Sequence, residues 1–378
     1  MATDVYRRLQ EHLDNMPIAY PATESGVELR VLKHLFTAEE AEMALDLSAL
    51  PESLECIYRR ARKRGISLAD AEQMLDRMLE KGAILGGPLA SRGRPGKYYN
   101  KAPLAVGMFE FQVDRLTTEF AKDFQEYDEG PFGEAITTKK TSQLRAIPVR
   151  KSLKPEHHVA TYDDIRQLIE ASPGPFAVGN CVCRQKEELL GEPCQLTDVR
   201  RSCIWLEEVA EMGIERGIGQ PMTKAEVLEL TDKAEQVGMV LQPENDQKPL
   251  FICCCCGCCC GILKGAMRFP RPVEYFHTNY FAHVEADACE GCARCVKRCQ
   301  MSAVSVADKV ATVDLDRCIG CGLCVTTCKA NAMELKQKDR QIVPAKDHDA
   351  LYKKIMMERL SPLEAAKVMG KMMLGMKI

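Results

Sequence analysis

The 378-residue sequence has no excess of charge of either sign: 51 Lys+Arg stand against 54 Asp+Glu, a net charge of -3. That balance gives no global attraction to nucleic acid or to an anionic membrane. No stretch reaches the roughly 18 uninterrupted apolar residues of a membrane span. The opening Met-Ala-Thr-Asp-Val-Tyr-Arg-Arg lacks the basic-then-apolar layout of a secretory signal. A cytoplasmic protein without a membrane span is expected. No GxGxxG, P-loop, GxSxG or HExxH occurs, so nothing points to a nucleotide or flavin site in the chain. Cysteine is almost missing from the first 180 residues, where Cys56 stands alone.

The remaining nineteen of the 20 cysteines follow residue 180. Seven crowd into Cys253–Cys260, where neighbours cannot all pair as unstrained disulfides. Metal ligation in a reducing compartment is the expectation, and an anaerobic setting with it, because exposed thiolates and iron sulfides oxidise.

Two runs share the pattern C-x2-C-x2-C-x3-C: Cys289, Cys292, Cys295, Cys299, and Cys318, Cys321, Cys324, Cys328. The loop of such a run wraps one cubane with three thiolates, and the x3 step carries the fourth cysteine across to the other cluster. Cys289, Cys292, Cys295 and Cys328 are therefore assigned to one 4Fe–4S cluster, and Cys318, Cys321, Cys324 and Cys299 to a second. Gly291, Gly320 and Gly322 let the loops turn tightly. Ala303–Val306 and Val310–Val313 read as a hairpin around Asp308-Lys309. Ala332–Leu335 with Gln341–Val343 is expected to repeat it. This segment, residues 283–343, resembles a bacterial-type two-cluster ferredoxin. It departs from that family at Gln300 and Lys329, where proline is usual. Residues 283–340 carry nine Lys+Arg and eight Asp+Glu. The family's free carriers are acidic, so this near-neutral module reads as a built-in relay. Arg294, Lys297, Arg298 and Lys329 bring positive charge close to the clusters, which favours their reduced forms.

Upstream stand Cys181, Cys183, Cys194 and Cys203, four thiolates that suit one more iron–sulfur or zinc site. Cys253, Cys255, Cys256, Cys258, Cys259 and Cys260 follow. Neighbours in an extended run point opposite ways, so not all seven are expected to face one cluster, and Cys254 is the first set aside. One or two further iron–sulfur clusters are the expected load. Cys255-Cys256-Gly257 resembles the CCG signature of proteins with a non-cubane cluster. Every C-x2-C pair downstream belongs to the ferredoxin runs, so that likeness stops at its first half. Thr223-Lys-Ala-Glu226 caps a helix over 225–237 that ends at Gly238. It is expected to help fold an α-rich cysteine domain over 161–265, bringing the block back to Cys181 and Cys183. Arg184 faces either a cluster sulfide or water.

The fold class expected is multidomain α+β. Residues 27–106 resemble a winged helix: helices from Thr37, from Glu52 to Arg64 and from Ser67, then a strand, a wing holding Arg92 and Arg94, and a strand. The third helix is acidic, which speaks for protein docking over DNA. Residues 107–160 form a connector, in which His157-His158 reads as a loop pair and not a metal site. Residues 347–378 form a helical tail rich in methionine (Met356, Met357, Met369, Met372, Met373, Met376), suited to packing or partner docking. The whole layout resembles 4Fe–4S dicluster proteins of anaerobic bacteria, a likeness that implies architecture and no activity. Three readings of function remain. The first is an electron-transfer subunit serving a redox partner, such as a flavoprotein or larger reductase. The second is a reductase with a catalytic cluster among the upstream cysteines. The third is a redox-sensing winged-helix regulator.

Overall fold

The computed structural model describes residues 4–91, 93–137, 140–154, 157, 159–373 and 376–377; Arg92 and His158 lie outside them. The chain begins with α1 (Val5–Asp14), α2 (Val27–Leu35), α3 (Ala38–Ala44), β1 (Glu52–Ser53), α4 (Leu54–Ala61) and α5 (Leu68–Glu80). β2 (Ile84–Gly86), α6 (Pro88–Ser91) and β3 (Tyr98–Lys101) follow. Thr37 and Glu40 make the capping box that starts α3, and the Ser67 hydroxyl accepts from Asp70 N to start α5. The expected helix over 52–64 is shorter. Glu52 and Ser53 pair with Tyr99 and Tyr98, and the Ser53 side chain then caps α4. The three strands form an antiparallel sheet in the order β1-β3-β2.

The connector holds α7 (Thr118–Glu129) and α8 (Pro131–Thr137). Phe120, Phe124 and Tyr127 are buried in one core with α1–α5, and Phe109 stacks on Phe124 with ring centroids 3.6 Å apart.

Next come α9 (Ile165–Ala171), β4 (Phe176–Asn180), α10 (Val182–Leu189), β5 (Arg201–Leu206) and α11 (Glu207–Glu215). β6 (Gly219–Met222), α12 (Lys224–Val237), β7 (Val240–Pro243), β8 (Phe251–Cys255) and α13 (Gly261–Met267) complete this part. The expectation of an α-rich cysteine domain is corrected here. The part is built on a five-stranded antiparallel sheet in the order β6-β4-β5-β8-β7. Its strands escaped the sequence because β4 and β7 are buried nearly throughout, which erases the apolar–polar alternation that marks a half-buried strand. α12 matches expectation, with the Thr223/Glu226 capping box and Gly238 at a φ of 97°.

The ferredoxin part comprises β9 (Tyr280–Val284), α14 (Arg294–Arg298), β10 (Val304–Ala307), β11 (Val310–Val313), α15 (Leu323–Thr326) and β12 (Met333–Gln337). β10 and β11 form the hairpin, turning at Asp308 and Lys309, both at positive φ. The second hairpin is not formed. β12 pairs over five residues with β9, and Ile342 N donates instead to Asn279 Oδ1 at 2.7 Å. The tail folds as α16 (His348–Arg359) and α17 (Pro362–Met373), with Leu351 and Ile355 buried against the N-terminal core. Among the described residues no helix is long and apolar enough to cross a membrane.

Candidate metal centres

The two ferredoxin loops each surround a small cavity. Cys289, Cys292, Cys295 and Cys328 line one of about 20 Å³. Cys299, Cys318, Cys321 and Cys324 line another of about 20 Å³. The quartets are those that the crossed assignment brings together. Backbone N–H groups are aimed at sulfur: Ala311 N lies 3.3 Å from Cys289 Sγ, Ala282 N 3.4 Å from Cys318 Sγ and Ala303 N 3.2 Å from Cys299 Sγ. Such donors stabilise thiolate charge and tune a cluster's potential. Gly320 has a φ of +64°, and a Cβ there would sit 2.3 Å from Tyr280 O, so only glycine fits between loop and strand. The two sites differ in exposure: Cys292 of the first is exposed, whereas Cys318 and Cys324 of the second are buried.

The ten upstream candidates divide into two groups, and not along the sequence. Cys194, expected beside Cys181, Cys183 and Cys203, joins Cys256, Cys258 and Cys259 instead; all four Sγ atoms lie within 4.8 Å of one another. The irregular segment between α10 and β5 carries Cys194 there, while β5 holds Cys203 back in register with Cys253. The other six are Cys181, Cys183, Cys203, Cys253, Cys255 and Cys260. Cys203 stands opposite Cys253 in the β5–β8 register, and Cys253 and Cys255 share one face of β8. These six help line a cavity of about 70 Å³, whose wall also includes Cys254, Cys256 and Cys259. Strand alternation puts Cys254 on the other face of β8 from Cys253 and Cys255. Burial pushes its thiol up to about 12. Cys56 lies apart on α4, where it accepts from Arg59 at 2.8 Å.

Arg184 sits between the two groups. It is 1% exposed, which removes the reading that it faces water. Its guanidinium donates to Val199 O at 3.1 Å, to the Ser202 hydroxyl and to Cys254 O at 3.0 Å, while Nε has no partner. Burial alone would lower it, but the thiolates of Cys181, Cys256, Cys255 and Cys194 outweigh that and hold it above its ordinary value. In return, a bond from Cys259, aided by Arg184, draws the Cys256 thiol down to about 4 against the cost of burial. Cys181 falls to about 6 through its bond with Cys183 and the same guanidinium. An unpaired buried cation costs several kcal/mol, so Arg184 fits ionised thiols at Cys181 and Cys256, as ligands of metal are. Neighbouring thiols and burial instead hold Cys183, Cys253, Cys255, Cys259 and Cys260 above the ordinary value.

Three features had little or no sequence signal. Gln300, standing where proline is usual, accepts from Gly257 N at 2.9 Å and so joins the ferredoxin part to the cysteine block. Arg298, expected to act on a cluster, donates to the carbonyls of Glu235 and, at 2.8 Å, Gln236 at the end of α12. Trp205 donates through Nε1 to Cys203 Sγ at 3.2 Å. It also lines a large cavity of about 690 Å³ between the cysteine sheet, the N-terminal part and α16. Val106, Glu110 and Cys203 line both this cavity and the thiol cavity. Burial raises the Glu110 carboxyl to about 7. His157, the described member of the histidine pair, bonds Leu335 O at 3.0 Å and Lys154 N at 3.0 Å, both protein groups.

No curated protein and no solved structure matches the chain. Residues 288–342 match the family of 4Fe–4S dicluster domains, so this segment is an iron–sulfur segment of the ferredoxin type, and the match does not extend to the rest of the chain.

Proposed function

We propose that the chain is an electron-transfer subunit that relays electrons between a redox partner and a metal centre in its upstream cysteines, by way of its two ferredoxin sites. The observation that carries this reading is the Gly257–Gln300 contact. Gln300 follows Cys299, a ligand of the second ferredoxin site, and Gly257 lies between Cys256 and Cys258. Cys299 is thus one residue from the junction, and Cys255 and Cys260 of the six-thiol group are two and three residues from it. Exposure supplies a direction. The site with exposed Cys292 is the one a partner, such as a flavoprotein or larger reductase, reaches. The buried site of Cys318 and Cys324 faces inward, where Val149 N donates to Cys321 O at 2.9 Å. When bound, the clusters supply one-electron carriers; the protein supplies ligands, N–H donors and the junction. A Cys299→Ser variant tests the relay by EPR-monitored reduction with a reduced flavodoxin. The upstream signal should then reduce much more slowly than in the wild type. An unchanged rate would mean that electrons do not pass through the second ferredoxin site.

A second reading, a reductase whose catalytic cluster lies among the six thiols, draws support from the 690 Å³ cavity that shares Cys203 with them. Its size suits a small organic substrate. Anaerobic cyanide should then shift the EPR signal of the upstream centre alone, and no shift would remove this reading. The regulator reading has less behind it. In the winged-helix-like part, Arg60 pairs with Glu52, Arg64 with Asp46, and Lys97 with Glu72 and Asp76, so much of its basic charge is spent internally. We take that part as a docking or structural unit.

A further inference from the structure

We propose that Cys194, Cys256, Cys258 and Cys259 hold one tetrahedral zinc ion and not an iron–sulfur cluster. The sulfur spacing carries the proposal. Cys194 Sγ lies 3.6 Å from Cys256 Sγ and 3.7 Å from Cys258 Sγ, and Cys258 Sγ lies 3.7 Å from Cys259 Sγ. Four thiolates around a single zinc at about 2.3 Å stand at the corners of a tetrahedron whose edge is about 3.8 Å. These three spacings match that edge, and the other three pairs lie within 4.8 Å. Thiolates of a cubane each sit on their own iron, so they stand further apart than thiolates that share one ion.

The ferredoxin loops act as an internal standard. Among the described residues, neither of their quartets contains three thiols within 4.8 Å of one another, whereas all four thiols of this group satisfy that limit. One chain therefore carries two kinds of cysteine quartet: two opened around a cavity and one drawn together to single-ion spacing.

The local chain suits a structural ion. Cys256 and Cys259 form a C-x2-C loop, tightened by the bond from Cys260 N to Cys256 O at 3.1 Å. Four protein thiolates close the coordination sphere and leave no open position, the mark of a structural zinc. Cys194 lies on the irregular segment between α10 and β5, so the ion would staple that segment to the cysteine block. Gly257 sits inside the C-x2-C loop, and the ion would therefore also fix the surface that meets Gln300. The six thiols around Cys203 are left as the upstream redox centre. The zinc assignment does not depend on the relay, since it rests on sulfur geometry alone.

Elemental analysis of the anaerobically purified full chain, with zinc-edge X-ray absorption, tests this. One zinc per chain in a shell of four sulfurs at about 2.3 Å is expected. Cys194→Ser should lose the zinc and keep its iron, while Cys203→Ser should keep the zinc. If Cys194→Ser fails to fold, the wild-type absorption shell still decides. Protein without zinc, zinc bound by nitrogen or oxygen, or a high-spin ferric signal from a four-sulfur site would each overturn the assignment. So would a Cys194→Ser protein that loses a cluster's worth of iron. Absence of zinc with a working relay would sink this proposal alone, and zinc with no electron passage would sink the relay alone.

Discussion

Gly257→Ala is the substitution that bears most sharply on the junction between the ferredoxin part and the cysteine block. A Cβ at position 257 would lie 2.4 Å from the Gln300 carbonyl oxygen, where Cβ contacts under 3.0 Å are essentially never seen. The oxygen belongs to backbone, so no flexible side chain can swing away. At least about 0.6 Å of separation has to come from moving one part against the other, a misfit of the overpacking kind that costs about 1–3 kcal/mol. The backbone of Gly257 is not in the left-handed region, so alanine adds no conformational strain that would confuse the result. Urea unfolding followed by circular dichroism reads the stability. Anaerobic stopped-flow reduction reads the rates at the ferredoxin and upstream chromophores separately. The expected outcome is a stability loss in that range, unchanged iron content, unchanged reduction of the ferredoxin clusters and slower reduction upstream. Gln300→Ala, which deletes only the acceptor of the Gly257 N–H, should show the milder form of this pattern, at about 1 kcal/mol. Full stability and an unaltered upstream rate in Gly257→Ala would refute the placement of the junction. A stability loss with an unaltered rate would refute its role in electron passage.

Two further substitutions probe the frame around the centres. Burial, then the charges of Lys101 and Lys377, hold His12 down to about 3, with its ring bonded to Leu47 O at 3.0 Å. The folded ring stays neutral while the unfolded ring takes a proton below its ordinary 6.5, so the contribution is complete above that value and is lost progressively as pH falls toward about 3. One unit below 6.5, near pH 5.5, the loss amounts to about 1.4 kcal/mol, and His12→Gln should remove this slope from urea midpoints taken near pH 7.5 and pH 5.5; an equal slope in the variant would contradict it. Glu187 is fully buried on α10 and pairs with Lys186 and Lys264, each at 2.9 Å. Glu187→Ala leaves Lys186 buried without that partner and should cost about 3–5 kcal/mol in urea unfolding, with a loss under about 1 kcal/mol contradicting the pairing.

Legibility from sequence followed the range of the interaction concerned. The ferredoxin loops are local: three ligands lie within seven residues of chain, so spacing alone identifies them, and the duplication supplies the crossover. The capping boxes at Thr37 and Thr223 are equally local, and both helices start where those residues place them. The hairpin at Asp308 and Lys309 was readable for the same reason, but the partner of β12 was not, because β9 lies some fifty residues upstream. The partition of the upstream cysteines is the clearest case. It follows from the register Cys203↔Cys253, a long-range pairing between two strands of a sheet that the sequence did not announce. Once β8 is known to be extended, alternation separates Cys254 from Cys253 and Cys255, and that much was accessible in advance. Gln300 was visible only as a missing proline; its use as an acceptor for Gly257 depends on how two distant segments meet.

On the reading proposed above, the upstream cysteines hold a redox centre of their own beside the two ferredoxin clusters. Anaerobic iron and acid-labile sulfide counting on the fully reconstituted chain, with EPR of the reduced state, tests it most directly. Two cubanes account for about eight irons. Clearly more than that is expected, with an EPR signal that persists when Cys292 and Cys321 of the ferredoxin loops are replaced by serine. A count of about eight or fewer, with every signal lost in those variants, would contradict it.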